Sequence, residues 1–250
     1  MKSPLSVIII TRNEERNIAE CLRSVDWAGD IVVVDADSSD KTVELARKST
    51  EKVFVRKWEG YAAAKAFAMS QTSNEWVLWL DADERVTPDL RDEIQSLLAA
   101  PEFRAYEVAR RAYFLGKWIR HCGWYPGYVI RLFEKKSVRF SDSNVHESIV
   151  FQGSVGRLSN DLLHYTDDTL FHYTAKLNRY TSLAAADLKK KGTEFSLLGV
   201  VARPPFMFFK MYILKRGFLD GRHGLVLSLL SSGYVFTKYA KLWQGGRANR

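Results

Sequence analysis

The chain has 250 residues, 46% of them hydrophobic and 26% charged, with a formal net charge of +8. That length suits one large domain or a domain with an appendage, and the apolar fraction excludes a disordered or low-complexity chain. Two cysteines far apart in sequence, Cys21 and Cys122, form no metal-ligand pattern and fit a reducing compartment. The opening "MKSPLSVIIITRNEER" has too short an apolar run for a signal peptide, so the expected location is the cytoplasm.

The charge is unevenly spread. Residues 171–250 carry 14 Lys/Arg against 3 Asp/Glu, whereas the first 170 carry 23 against 26. The same last third holds 13 of the 32 aromatic residues. A basic, aromatic segment points to nucleic acid or to an anionic membrane surface.

In chain order, "LSVIIIT" (5–11) reads as a buried strand, followed by helical spacing in "IAECLRSV". "DIVVVDADSSD" (30–40) is a second strand ending in carboxylates and serines, and "KTVELARKS" a helix. "KVFVRKW" (52–58) reads as a third strand, "GYAAAKAFAMSQT" as an alanine-rich helix, and "WVLWL" as a fourth strand. Alternating strands and helices, with strands apolar on both faces, predict an α/β fold with a mostly parallel sheet flanked by helices. Ligands of such sheets sit beyond the carboxyl ends of the strands. Those ends carry Thr11-Arg12-Asn13, Asp35-Ala36-Asp37 and Asp81-Ala82-Asp83.

From about residue 104 the pattern becomes that of antiparallel strands, with Gly and Pro at "CGWYPG". Beyond His172 it is helical again: "TAKLNRYTSLAAADLKKKG", "PPFMFFKMYILKRG" and "LVLSLLSSGYVFTKYAKLW". The expected division is a catalytic domain over 1–170 and a helical extension over 171–250.

Two aspartates one residue apart at a strand tip can point at a common ion. Mg²⁺ and Mn²⁺ take such oxygen ligands and are completed by substrate phosphates. The same "DADE" also suits a solvated turn before the helix that starts near "VTPDL", and Glu84 has no assigned role.

"SVIIITRNEERNIAECLRSV", "IVVVDADSSDKT", "GYAAAKAFAM" and "EWVLWLDADERV" resemble the successive blocks of family 2 glycosyltransferases, over roughly residues 4–170. With "VHE" and "YILKRGFLDGRHGL", they are similar to the branch that adds a sugar, often glucose, to a heptose of the lipopolysaccharide inner core. The resemblance implies a GT-A fold, a nucleotide-sugar donor, a glycolipid acceptor and a divalent metal. It implies that Asp81 and Asp83 hold the metal and the nucleotide diphosphate, with His164 completing the metal shell. It also implies that Thr11, Asn13, Asp35 and Lys65 line the nucleotide pocket and that Glu147 is the general base, with His146 its rival. Packing readings remain beside these: a core histidine for His164, a solvated helix lysine for Lys65. Trp124 and Tyr125 offer flat faces to an acceptor sugar and serve equally as core residues. Ala36, Asp37 and Ala66 depart from the family pattern of polar residue, glycine and asparagine, which bears on nucleobase choice more than on the reaction.

The tail lacks the signatures of nucleic-acid modules, so nucleic acid is not an expected partner. Phe206, Phe209 and Ile213 instead recur at helical spacing, flanked by Lys210, Lys215 and Arg216. Leu225, Leu229, Phe236 and Trp243 repeat the pattern. Cationic amphipathic helices of this kind lie in a membrane interface. The uncharged run 223–237 is shorter than the ~20 residues of a spanning helix. The expectation is a peripheral protein on the cytosolic face of the inner membrane. The competing reading packs these stripes on the catalytic domain or on a second copy in a homo-oligomer.

Other enzyme classes fit less well. A sugar-nucleotide pyrophosphorylase needs a glycine-rich phosphate loop after the first strand, and "TRNEERN" has no glycine. A phosphatase with a D-x-D nucleophile carries it after the first strand, not the fourth. An inactive membrane-bound scaffold that keeps the fold is the alternative to which Ala36 and Ala66 give footing.

Overall fold

The computed structural model describes residues 2–140 and 149–247. The N-terminal half alternates strand and helix: β1 (Ser3–Thr11), α1 (Ile18–Arg23), β2 (Ala28–Asp35), α2 (Thr42–Arg47), β3 (Val53–Val55), α3 (Tyr61–Ser70) and β4 (Trp76–Asp81). Then come β5 (Glu84–Val86), α4 (Pro88–Ala99), β6 (Ala105–Phe114), β7 (Lys117–Trp118) and β8 (Gly127–Glu134). Short strands β9 (Val138–Phe140), β10 (Ile149–Phe151) and β11 (Gly156–Arg157) precede β12 (Leu162–Asp167). Three helices end the chain: α5 (Leu170–Lys190), α6 (Leu197–Phe209) and α7 (Arg222–Arg247).

The β-branched runs become strands buried on both faces because residues of a strand alternate sides. Leu5, Val7 and Ile9 of β1 pack with Ile18 and Leu22 of α1 and with Ile94 of α4. Ile8 and Ile10 face the other way, against Ala68 of α3. Each such side chain contributes about 1.5–3 kcal/mol when fully buried.

The strand order is β3-β2-β1-β4-β8-β6-β12-β5. β1 pairs in parallel with both β2 and β4, and β2 with β3. The sheet is thus parallel over its first four strands, as expected. Beyond them it is antiparallel at the β4–β8, β8–β6 and β12–β5 pairings. β8 follows β6 with no helix between them, a connection that antiparallel neighbours allow. The third strand is shorter than the apolar run that marks it, with Trp58 leaving the strand to pack beside Phe67 in the core of that face.

The start of α4 has a plain chemical cause. Thr87 Oγ1 accepts a hydrogen bond from the Leu90 N–H at 3.2 Å, and Pro88 occupies the first helical position. Thr87→Ala should cost about 1 kcal/mol, read in thermal unfolding as a fall of about 2–4 °C.

The chain forms two compact units, one of Met1–Arg110 with Gly127–His164, the other of Arg111–Pro126 with Tyr165–Arg250. In the second, Asp220 is buried and accepts from the backbone N–H groups of Arg120 and His121, at 3.3 and 2.8 Å. Its neighbour Gly224 lies so close to Gly217 that an added Cβ would sit 1.9 Å from the Gly217 carbonyl oxygen. That contact explains Gly224, while at Gly217 an added Cβ would sit 2.7 Å from Cys122 Sγ and 2.8 Å from the Met211 carbonyl oxygen. The helix α6 starts at Leu197, where Ser196 Oγ accepts from the Gly199 N–H, seven residues before the Pro204 at which the sequence places its start. It runs on through a π-helical turn, Lys210–Leu214.

Candidate active site

β1 lies between β2 and β4, so the strand order reverses direction there, and the carboxyl ends of these strands are the place where such sheets bind ligands. Register brings the predicted residues to this edge: Thr11 is opposite Asp35, and Ile10 opposite Asp81.

Each polar group at the edge has a defined setting. Asp35 is fully buried and accepts from Ser38 twice, the N–H at 2.7 Å and the hydroxyl at 2.5 Å. Asn13 adopts a left-handed backbone conformation, φ 55°, which Asn tolerates well. Its N–H donates to Ser38 Oγ at 2.8 Å and its Oδ1 accepts from the Ser39 N–H at 2.9 Å. The turn after β1 and the turn after β2 are therefore tied together. Thr11 is buried, and its Oγ1 has no hydrogen-bond partner among the described residues. Beside Asp35 is a small pocket lined by Ile10, Ala36, Arg56, Lys57, Trp58 and Ala63, among others. Ala36, a departure from the family pattern, forms part of its wall.

Lys65 of α3 is buried, with Nζ 3.6 Å from the centre of the Trp79 ring. An ammonium over an indole face is held by the ring quadrupole. This is not a solvated helix lysine. The same ring carries the Arg131 guanidinium, 4.2 Å from its centre.

The D-x-D carboxylates take different partners. Asp81 Oδ2 accepts from Arg131 Nη2 at 2.5 Å, while its side chain is 40% exposed. Asp83 Oδ2 lies 3.4 Å from His164 Nε2. Burial lowers the His164 pKa, but the Asp83 hydrogen bond and the Asp83 and Glu84 charges outweigh it, so the net shift is upward. Glu84 is fully buried, takes the Asp81 N–H at 3.0 Å and the Arg131 Nη2 at 2.7 Å, and has Arg110 at 3.7 Å. Burial pushes its pKa up, with Arg131 opposing. It is an internal strut, not a helix cap: the following helix is capped by Thr87.

Among the described residues, no three His, Cys, Asp or Glu side chains converge to close a metal cage by themselves. The donor set fits an ion completed from outside: a half-exposed Asp81, whose Oδ2 alone is engaged by Arg131, and the adjacent Asp83–His164 pair. Mg²⁺ and Mn²⁺ are commonly held by one or two carboxylates plus substrate phosphates. Glu147 and His146 lie outside the described residues. Trp124 sits in the second unit with its ring edge-on to Phe114 at 6.2 Å, in a core cluster, and Tyr125 packs on Trp118.

The sequence reading missed Arg131. Its signal was there, a lone arginine within the apolar run "YVIRLF", which is a costly residue to bury without partners.

A sequence model described as "Glycosyl transferase family 2" matches residues 6–151. The chain belongs to glycosyltransferase family 2. It is 32% identical over 256 residues to the lipopolysaccharide core biosynthesis glycosyltransferase LpsC of Rhizobium meliloti, covering 97% of this chain and 93% of that protein. It is 33% identical over 251 residues to the uncharacterized glycosyltransferase RT0209 of Rickettsia typhi, covering 95% and 86%. Among solved structures, TarS 1-349 of S. aureus in complex with UDP-GlcNAc is 15% identical, covers 97% of this chain and 84% of that one, and has a TM-score of 0.48. This family 2 member is a glycosyltransferase related to enzymes of lipopolysaccharide core biosynthesis, and its α/β sheet flanked by helices is the fold expected of it.

Proposed function

We propose that the chain is an inverting glycosyltransferase that moves glucose from a uridine-diphosphate sugar to a lipopolysaccharide-core or similar glycolipid. The observation that carries the donor side is the register that gathers Thr11, Asp35 and Asp81 at one sheet edge. The acceptor class rests on the name of the R. meliloti relative. Asp81, Asp83 and His164 hold a divalent cation together with the donor diphosphate; the cation supplies positive charge against the departing diphosphate. Lys65 and Arg131, both held on the Trp79 ring, add fixed positive charge. Thr11 offers its buried hydroxyl to the nucleoside, and Asn13 and Asp35 hold the two turns that shape the pocket. Glu147, or failing it His146, takes the proton of the acceptor hydroxyl as it attacks the anomeric carbon from the face opposite the leaving group.

A thermal-shift panel of nucleotide sugars tests this. UDP-glucose with Mn²⁺, at about a hundredfold excess over Kd, should raise Tm by about 5–10 °C. Asp83→Ala should remove the Mn²⁺-dependent part of that shift. An equal shift in the variant would sink the cation reading, and silence of the wild type toward every sugar nucleotide would sink the donor reading.

The location proposed is the cytosolic face of a membrane. Its support is the apolar stretch Leu197–Leu214, of mean hydropathy 1.4 and only 11% buried, in a helix that also carries Arg203 and Lys210. Leu198 and Phe206 are 77% and 61% exposed. With two prolines and two cations inside it, the stretch lies along the interface. The protein should sediment with vesicles containing anionic lipid, and Leu198→Glu/Phe206→Glu should weaken this on the order of tenfold. A dimer in solution that ignores vesicles would assign the same face to a second copy of the chain.

A further inference from the structure

The charges around Asp81 nearly cancel before any ligand arrives. Asp81 and Glu84 share the Arg131 guanidinium, at 2.5 and 2.7 Å, and Arg110 stands 3.7 Å from Glu84. Arg131 is 3% exposed and Glu84 is fully buried, so water screens neither. One nitrogen, Nη2, makes both contacts, and Trp79 covers the guanidinium at 4.2 Å. The remaining carboxylate, Asp83, is already 3.4 Å from the His164 ring nitrogen. A divalent ion approaching the bare protein therefore meets little net negative charge.

From this we infer that Arg131 is a positioning residue, a built-in counter-cation that makes divalent-ion binding conditional on the diphosphate of the donor. It fixes Asp81 through Oδ2 while the side chain stays 40% exposed. It also withholds the attraction that two unpaired carboxylates would exert on a free ion. A nucleoside diphosphate restores that attraction with its own charge, so ion and nucleotide enter together. The inference rests on the reading above, in which Asp81 holds a divalent cation.

Mn²⁺ binding, followed by the electron paramagnetic resonance of the free ion, tests it with and without UDP. The wild type should bind Mn²⁺ weakly alone and tightly with UDP. R131M should bind Mn²⁺ alone more tightly, on the order of tenfold, the usual size of an effect one residue removed from a ligand. R131K, which keeps the charge, should behave as the wild type. A merely structural role would lower Mn²⁺ binding in R131M and never raise it. Should R131M fail to fold, R131M/E84Q removes the buried charge too and should still show a gain, smaller, because both Asp81 oxygens are then free. Nucleotide-independent Mn²⁺ binding no tighter than wild type in these variants overturns the inference while leaving the cation reading intact. A wild type that takes up no Mn²⁺ even with UDP overturns both.

Discussion

Glu147→Gln should lower kcat by about 10²–10⁴-fold while the Kd for the donor stays at the wild-type value. The substitution keeps the shape of the side chain and its hydrogen-bonding reach but removes the ability to accept a proton. In a single displacement at the anomeric carbon, the acceptor hydroxyl must lose its proton as the bond forms, and the amide cannot take it. On the proposed reading, donor binding is carried by other residues, at the ends of β1, β2 and β4. The measurement is turnover with saturating donor beside donor titration by calorimetry. Normal turnover in Glu147→Gln would transfer the base to His146, and His146→Gln would then show the loss. A fall in donor affinity equal to the fall in turnover would mean that Glu147 holds the nucleotide sugar instead.

Much of the sheet edge that gathers Thr11, Asp35 and Asp81 was legible because it depends on local pattern. Strands buried on both faces read as unbroken apolar runs, and "SVIIIT", "DIVVVD" and "WVLWL" did so. Once those runs are parallel neighbours, the residues that end them must share an edge, so Thr11, Asp35 and Asp81 could be grouped before any coordinates. The partners of the D-x-D carboxylates were not legible for the opposite reason. β5 has only three residues, too short for a periodic signal, yet it sets Glu84 beneath Asp81. Arg131 reaches both from β8, some fifty residues on in sequence, with |i−j| of 50 and 47. The antiparallel pairing that puts β8 beside β4 is a long-range choice, and no short window holds both members. Lys65 shows the same limit: its helix was evident, but the indole it rests on belongs to β4, and only the packed sheet brings them together. For the tail, helical spacing was read correctly over α7, whereas α6 was entered at its prolines, although the cap at Ser196 lies upstream of them.

Arg131→Ala should destabilise the protein by about 3–5 kcal/mol, seen as a drop of Tm on the order of 10 °C. The magnitude follows from what is left behind. Glu84 would keep the Asp81 N–H at 3.0 Å and Arg110 at 3.7 Å, but would lose the guanidinium that donates to it at 2.7 Å, in a fully buried place. Removing one member of a buried pair costs far more than the pair contributes, because the survivor stays desolvated. Asp81, being 40% exposed, turns to solvent and adds little to the loss. The double variant Arg131→Ala/Glu84→Gln should therefore recover a good part of the stability, since an amide is less costly to bury than a carboxylate. The difference between the double variant and the sum of the singles, measured by urea unfolding, is the coupling between the two groups. A coupling near zero, or a loss in Arg131→Ala no larger than that of Thr87→Ala, would show that Glu84 does not depend on Arg131. In that case the D-x-D carboxylate would owe its orientation to the backbone of β4 alone.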